Sequence, residues 1–319
     1  MADRVGARPV PSRGRGRADG DLRAVRAAPE RGRVSEVTSS RGARALLGGF
    51  FGALVLFLYL PIAILAIFSF NDGDVSFPLQ GFTTEWYRRF LSNPLLVTAL
   101  ERSAIVALIS SVIAVALGVL ASFVLVRRRF LGRSAVSALL FSPLVVPYLV
   151  FGISLLVVFT AFDRFLIDVT GYTIPLGLHA VVIGHVVVSL PYTVLTIMPL
   201  LERLSIGLEE AAQDLGAGPW QRFRRVTLPL LTPALVSSFL IAFTLSFDEY
   251  AIASFLSGTQ ATWPVYLFAQ LRVPSQLPQV VAVSSVILLA SLLLVLAAEV
   301  ARQVAARRYG SGFAPRTIA

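Results

Sequence analysis

The sequence predicts an all-α integral membrane protein of six transmembrane helices. Three observations predict it. The 319-residue chain is 56% hydrophobic but only 14% charged, whereas a water-soluble domain carries roughly a quarter charged residues. The apolar residues collect into six runs, each near the length of about 20 residues that a helix needs to cross the hydrocarbon core. All 28 basic residues are arginines, and they sit in tails and short loops beside those runs. That placement suits a membrane protein and argues against a nucleic-acid partner, despite a formal charge of +10.

Residues 1–44 hold eleven arginines among Gly, Ala, Pro and Ser. Such a segment buries no core, so a disordered cytoplasmic tail is expected; anionic lipid is the alternative partner for its arginines. It is not read as a secretory signal, because the apolar run behind it is too long and lacks a clear cleavage site. Spans are expected at residues 45–70, 97–126, 135–162, 176–200, 233–257 and 279–304, each helical because lipid offers backbone groups no partners. Gly48 and Gly52 form a GxxxG in the first, a weak packing signal.

Besides the eleven arginines of the tail, four lie in 127–133, four in 201–232 and four at the C-terminal end. Only Arg88, Arg89, Arg102, Arg164 and Arg272 lie in the other connections. By the positive-inside rule both termini, including a C-tail of residues 307–319, face the cytoplasm. Segments 71–96 and 258–278 then face outward. Trp86, Tyr87, Trp263 and Tyr266 in them are expected at the interface or on short lateral helices. A docking surface for an external partner is the alternative.

There is no cysteine and no lysine. Thiol nucleophiles, thiolate metal sites, a P-loop lysine and a Schiff-base lysine are therefore excluded. Two histidines are too few for most metal sites. No catalytic, cofactor-binding or metal-binding residue is expected, and if ATP is used, another chain must bind and hydrolyse it.

Between the fourth and fifth runs the chain reads EEAAQDLGAGPWQRFRRVTLP at 209–229. Ser205 is placed to cap a short helix reaching Leu215, with acids in its first turns where the dipole favours them. Gly216 suits the left-handed residue that ends such a helix. Pro219 suits the first position of a second helix, which Leu228-Pro229 is expected to stop. The result is an elbow over 205–229 at the membrane surface, with Ala211 and Ala212 as small residues on one helix. Packing into another protein's groove and lying on its own helices are both open on these grounds.

This stretch resembles the EAA motif of type I ABC importer permeases, which reads E-A-A, three residues, G, nine residues, I, one residue, L-P. Here Glu210-Ala211-Ala212 is followed by three residues including Asp214, then Gly216, nine residues, Val226 in place of Ile, Thr227, and Leu228-Pro229. Four further pieces are similar to the spermidine/putrescine branch of that family: YLPIAILAIFSFN at 59–71, GFTTEWY at 81–87, FSPLVVPYLVFGIS at 141–154 and AFTLSFDEYAIASFLSG at 242–258. Two features depart from it: Glu101-Arg102-Ser103 stands where members often have Asn-Ser, and the arginine-rich tail is long. The resemblance implies a permease of the bacterial cell membrane. Its elbow, through Glu210, Ala211, Ala212, Asp214, Gly216, Leu228 and Pro229, would seat in an ATPase subunit. It further implies a second homologous permease, two ATPase subunits and an extracytoplasmic solute-binding protein as partners. The implied substrate is an organic cation such as a polyamine; other amines, ferric iron and phosphonates are the family alternatives.

Asp248 and Glu249 stand in an apolar run, LIAFTLSFDEYAIASFL. An acid at the bilayer centre costs roughly 2.5–3.5 kcal/mol, so such residues mark pathways or are paired. Read as adjacent helical residues they point about 100° apart, and at most one faces a pathway directly. Ser246, Asp248, Glu249 and Tyr250 are the candidate pathway residues, with Phe247 and Tyr250 offering cation–π contacts; a structural hydrogen bond is the alternative for the acids. His179 and His185 read as packed groups or outer-end residues, and Pro143, Pro147 and Pro191 as kinks. Two other functions compete with this one: a proton-coupled secondary transporter using Asp248 or Glu249, and an intramembrane protease pairing Ser154 with His185.

Overall fold

The computed structural model describes residues 41–73 and 78–309, and within them every regular element is a helix; Asn71 and Phe82 form an isolated bridge. The expected tail, up to residue 40, and residues 310–319 of the expected C-tail lie outside the described residues. The chain divides into two units, Met1–Leu58 and Tyr59–Ala319. Helix α1 (Arg41–Phe68) runs across the division. In the first unit it starts four residues inside the expected tail, and Gly48 and Gly52 face open space, so the GxxxG makes no contact there.

The rest concerns the second unit. Its helices are α2 (Glu85–Ser92), α3 (Pro94–Arg127), α4 (Arg133–Phe141), α5 (Tyr148–Thr170), α6 (Leu178–Arg203), α7 (Ile206–Asp214), α8 (Pro219–Arg222), α9 (Leu228–Phe247), α10 (Ala251–Leu256), α11 (Trp263–Gln270) and α12 (Leu277–Tyr309). Among the described residues five helices are long and apolar enough to cross a membrane: α1, α3, α5, α6 and the continuous Pro219–Phe247. The sixth expected span falls on α12, whose described apolar part is Leu277–Leu293.

Small side chains determine which faces meet. Lipid tails are as apolar as leucine, so helices in a membrane associate through close packing and hydrogen bonds rather than through apolar burial. Helix α9 buries Ala234, Ser238, Ala242 and Ser246 at a spacing of four. Helix α3 buries Ser103, Ala107, Ser110, Ala114, Gly118 and Ser122 along one side. Helix α6 supplies Ala180, Gly184, Ser189 and Thr193. These three helices pack mutually as the centre of the unit. At Gly118 a β-carbon would collide with the Thr193 hydroxyl, so α3 and α6 approach too closely for any side chain there. Thr193 in turn donates to the Ala114 carbonyl of α3 at 3.1 Å. The large apolar residues of α3 and α5, such as Leu120, Val157 and Phe162, remain exposed on the outer sides, as lipid-facing positions do.

Three expected boundaries are corrected. The span over 135–162 is not one helix: α4 ends at Phe141, a tight turn follows over Ser142–Leu144, and α5 starts at Tyr148 and runs on to Thr170. Pro143 and Pro147 cause this, each lacking a backbone N–H and restricting the residue before it. Pro191, by contrast, sits inside an unbroken α6. The span over 233–257 is interrupted at Asp248–Tyr250, between α9 and α10. And Leu228-Pro229 does not stop the second elbow helix, which continues through a π-turn over Phe223–Thr227 into α9. The Leu228 N–H bonds back five residues to the Phe223 carbonyl. That wider turn takes in the proline ring, which would clash in a regular helix.

Tyr87 and Tyr266, with Trp86 and Trp263, lie on short helices, and the two tryptophans are buried. Trp86 of α2 is buried and donates from Nε1 to the Asn71 carbonyl at 2.7 Å. Trp263 of α11 is buried against Leu96 and Val283. Tyr87 reaches Ser69 at 2.7 Å and Ser285 of α12 at 3.3 Å.

Candidate functional site

The elbow forms as its residues dictate. Ser205 accepts from the Gly207 N–H at 3.2 Å and caps α7. The helix closes with Gly216 at φ 85°. There the Ala217 N–H bonds to the Ala212 carbonyl at 3.0 Å and the Gly216 N–H to the Gln213 carbonyl at 2.8 Å, the paired closure that a left-handed residue permits. No atom lies within 4 Å of a β-carbon built on Gly216. Glycine is needed there for its backbone, not for space. Pro219 opens α8, and Arg222 donates to Gln213 at 2.7 Å, pinning the second arm to the first.

Glu210, Ala211, Asp214, Gly216 and Pro229 are exposed, and Ala212 and Leu228 are half-buried. The elbow also carries large apolar side chains in the open: Leu215 is 89% exposed and Trp220 68%, and Ile206 and Leu208 at the start of α7 are exposed as well. Trp220 stacks on Phe223 at 5.6 Å, and Phe223 meets Phe123 of α3 edge-on at 5.6 Å. Leu215 and Trp220 are not among the residues that the sequence motif marks for docking, although Trp220 belongs to a WQRFRRV stretch in which aromatics alternate with arginines. Their signal was there: apolar residues flanking a glycine-proline turn inside a charged segment.

The four candidate pathway residues separate into two groups. Asp248 ends α9, is exposed, and lines a cavity of about 360 Å³ with Leu100, Phe243, Thr244, Phe247 and Ile287. Tyr250 is half-buried and packs on Phe268 of α11 at 4.7 Å. Glu249 and Ser246 are buried in a polar cluster instead. Because the helix breaks here, the 100° offset expected for helical neighbours does not apply to the two acids.

In that cluster the Glu249 carboxylate accepts from the backbone N–H groups of Ile252, at 2.9 Å, and Ala253, at 3.0 Å, and so caps α10. Its Oε2 lies 3.2 Å from His185 Nε2 on α6, and His185 Nδ1 lies 2.7 Å from Ser246 Oγ. Ser246 is 2.8 Å from Ser110 of α3. A neutral imidazole satisfies both contacts, donating from Nε2 and accepting the Ser246 hydroxyl at Nδ1. The chain joins α3, α6, α9 and α10 through a histidine that is 1% exposed. His185→Ala should therefore destabilise the helices by about 3 kcal/mol, the upper end for stranding a buried polar group. His185→Gln, which retains a donor, should cost less. The midpoint of thermal unfolding in detergent checks this, and equal midpoints for the wild type and His185→Ala would remove the role.

Ser154, the other half of the alternative protease pair, is exposed on α5 and donates to the Val150 carbonyl of the same helix at 2.8 Å. With His185 held by Ser246 and Glu249, no such pair exists. Serines in apolar helices commonly bond back in this way.

Residues 114–311 match the family described as binding-protein-dependent transport system inner membrane component. The chain is 34% identical over 257 residues to the spermidine/putrescine transport system permease protein PotC of Escherichia coli, covering 80% of this chain and 93% of that one. It is 36% identical over 234 residues to the putrescine transport system permease protein PotI of the same organism, covering 73% and 82%. Among solved structures, a bacterial ABC transporter involved in the import of the acidic polysaccharide alginate matches with a TM-score of 0.65 at 14% identity, covering 83% of this chain and 94% of that one. The MetNI methionine ABC transporter in an inward-facing conformation matches with a TM-score of 0.50 at 21% identity, covering 66% and 96%.

Proposed function

The chain belongs to the family of binding-protein-dependent transport system inner membrane components, and on that premise we propose that it forms the path for a polyamine through an ABC importer driven by a separate ATPase. It is a multi-pass membrane protein and a transport subunit, not an enzyme. The permease names of its relatives support the substrate class. So does an exposed acid at a cavity walled by phenylalanines, since a carboxylate beside aromatic faces suits an organic ammonium group.

The observation that carries the ATPase docking is the elbow's open apolar face. Leu215 and Trp220 stand exposed on a segment otherwise rich in charged residues. An apolar patch on such a surface is a contact site for a partner. The elbow and both chain ends face the cytoplasm in this reading, in line with the arginine distribution. The partners are two ATPase subunits that bind the ATP, a second homologous permease and an external solute-binding protein; the chain itself needs no cofactor. Closure of the ATPases moves the elbows, and the membrane helices alternate as rigid bodies about the path.

Uptake of radiolabelled putrescine by cells carrying the system tests the energy source. Uptake should persist when an uncoupler collapses the proton gradient and stop when ATP is depleted. Collapse with the gradient while ATP persists would favour the proton-coupled alternative.

A further inference from the structure

We propose that Arg127 is the positioning residue that joins the elbow to the membrane helices, so that a displacement of the elbow moves α3, α6 and α9 together. This rests on the elbow being the ATPase-docking element. Four elements converge on two side chains. Arg127 is the last residue of α3, and its Nη2 donates at 3.1 Å to the Leu204 carbonyl, where α6 ends. The same Nη2 donates at 3.2 Å to Oε1 of Glu209 in α7. That oxygen also lies 3.4 Å from Thr227 Oγ1, which donates to it from the residue just before α9.

The electrostatics suit each position. A cation sits at the C-terminal ends of α3 and α6, and a carboxylate sits near the start of α7, as the helix dipoles favour. The pair is shielded, with side chains 15% and 23% exposed, so its attraction is screened less than that of a surface pair. Glu209 turns inward to this joint while Glu210 and Ala211, one and two residues on, are exposed. Helix α7 is thus held on one side and open on the other, which is what an element that transmits a push requires.

The test uses the full importer, reconstituted in proteoliposomes with radiolabelled putrescine as the probe. Two quantities are read: the ATPase retained with the permease on purification, and ATP hydrolysed per putrescine imported. Arg127→Met and Glu209→Gln should each retain the ATPase but raise the ATP-to-putrescine ratio at least about five-fold, the low end of a typical coupling between sites. Arg127→Lys should restore much of the wild-type ratio. A wild-type ratio in both Arg127→Met and Glu209→Gln overturns the inference. Loss of the ATPase from either variant, or of both variants from the membrane, also overturns it, because the pair would then hold the elbow's shape rather than carry its motion. If the wild-type permease itself retains no ATPase, the docking function falls first.

Discussion

Glu210→Lys is expected to bring uptake down to background while the protein remains in the membrane at its normal level. Glu210 lies on the open side of α7, away from Arg127 and Thr227, so the substitution leaves the contacts that shape the elbow in place. What changes is the sign of a charge one turn from the exposed Asp214 and Leu215. Reversing a charge within an interface turns attraction into repulsion and costs several kcal/mol, about a thousand-fold or more in occupancy of the docked state. Gly216→Asp should have the same outcome by another route. A non-glycine residue at φ 85° pays about 1–2 kcal/mol in backbone strain, and a new acid stands beside Leu215. Co-purification of the ATPase with each variant checks both. Normal transport in either one would mean the elbow docks elsewhere or not at all.

Asp248→Asn should weaken the apparent affinity for putrescine about ten- to a hundred-fold, with the ATPase still bound and the elbow unaffected. The substitution keeps the shape and removes the charge from a cavity whose other named walls are chiefly apolar. A hydrogen bond to a charged partner contributes about 1.5–3 kcal/mol, which sets that range. Asp248→Glu, which retains the charge, should lose less. Glu249→Gln is the informative contrast. Its carboxylate caps α10 and meets His185, so the expected loss is in thermal stability before it is in affinity. An unchanged affinity in Asp248→Asn would move the path to another wall of the protein.

How these two acids differ could not be read from their positions in the chain. Asp248 and Glu249 are neighbours with the same charge in the same apolar run. One lines a cavity and the other is buried because the helix breaks between Phe247 and Ala251, and because His185, more than sixty residues earlier, stands opposite the break. A contact of that span is set by how α6 crosses α9, and no local pattern encodes it. The same holds for Arg127. At the end of an apolar run it reads as one of several arginines that fix orientation, and only the meeting of three helix ends gives it Leu204 and Glu209 as partners.

Much else is local physics and was therefore legible in the residues. Length and hydrophobicity specify the spans, since a backbone in lipid must satisfy its own hydrogen bonds. Ser205, Gly216 and Pro219 specify the elbow's ends, because capping, positive φ and a missing N–H each act within a few residues. What needed the folded chain was every breach of that periodicity: the turn at Pro143 and Pro147, the π-turn that absorbs Pro229, and the interruption at Asp248. A proline or an acid announces that a helix is under stress, but whether it bends, widens or breaks depends on which neighbouring helix supplies the partner for the groups set free.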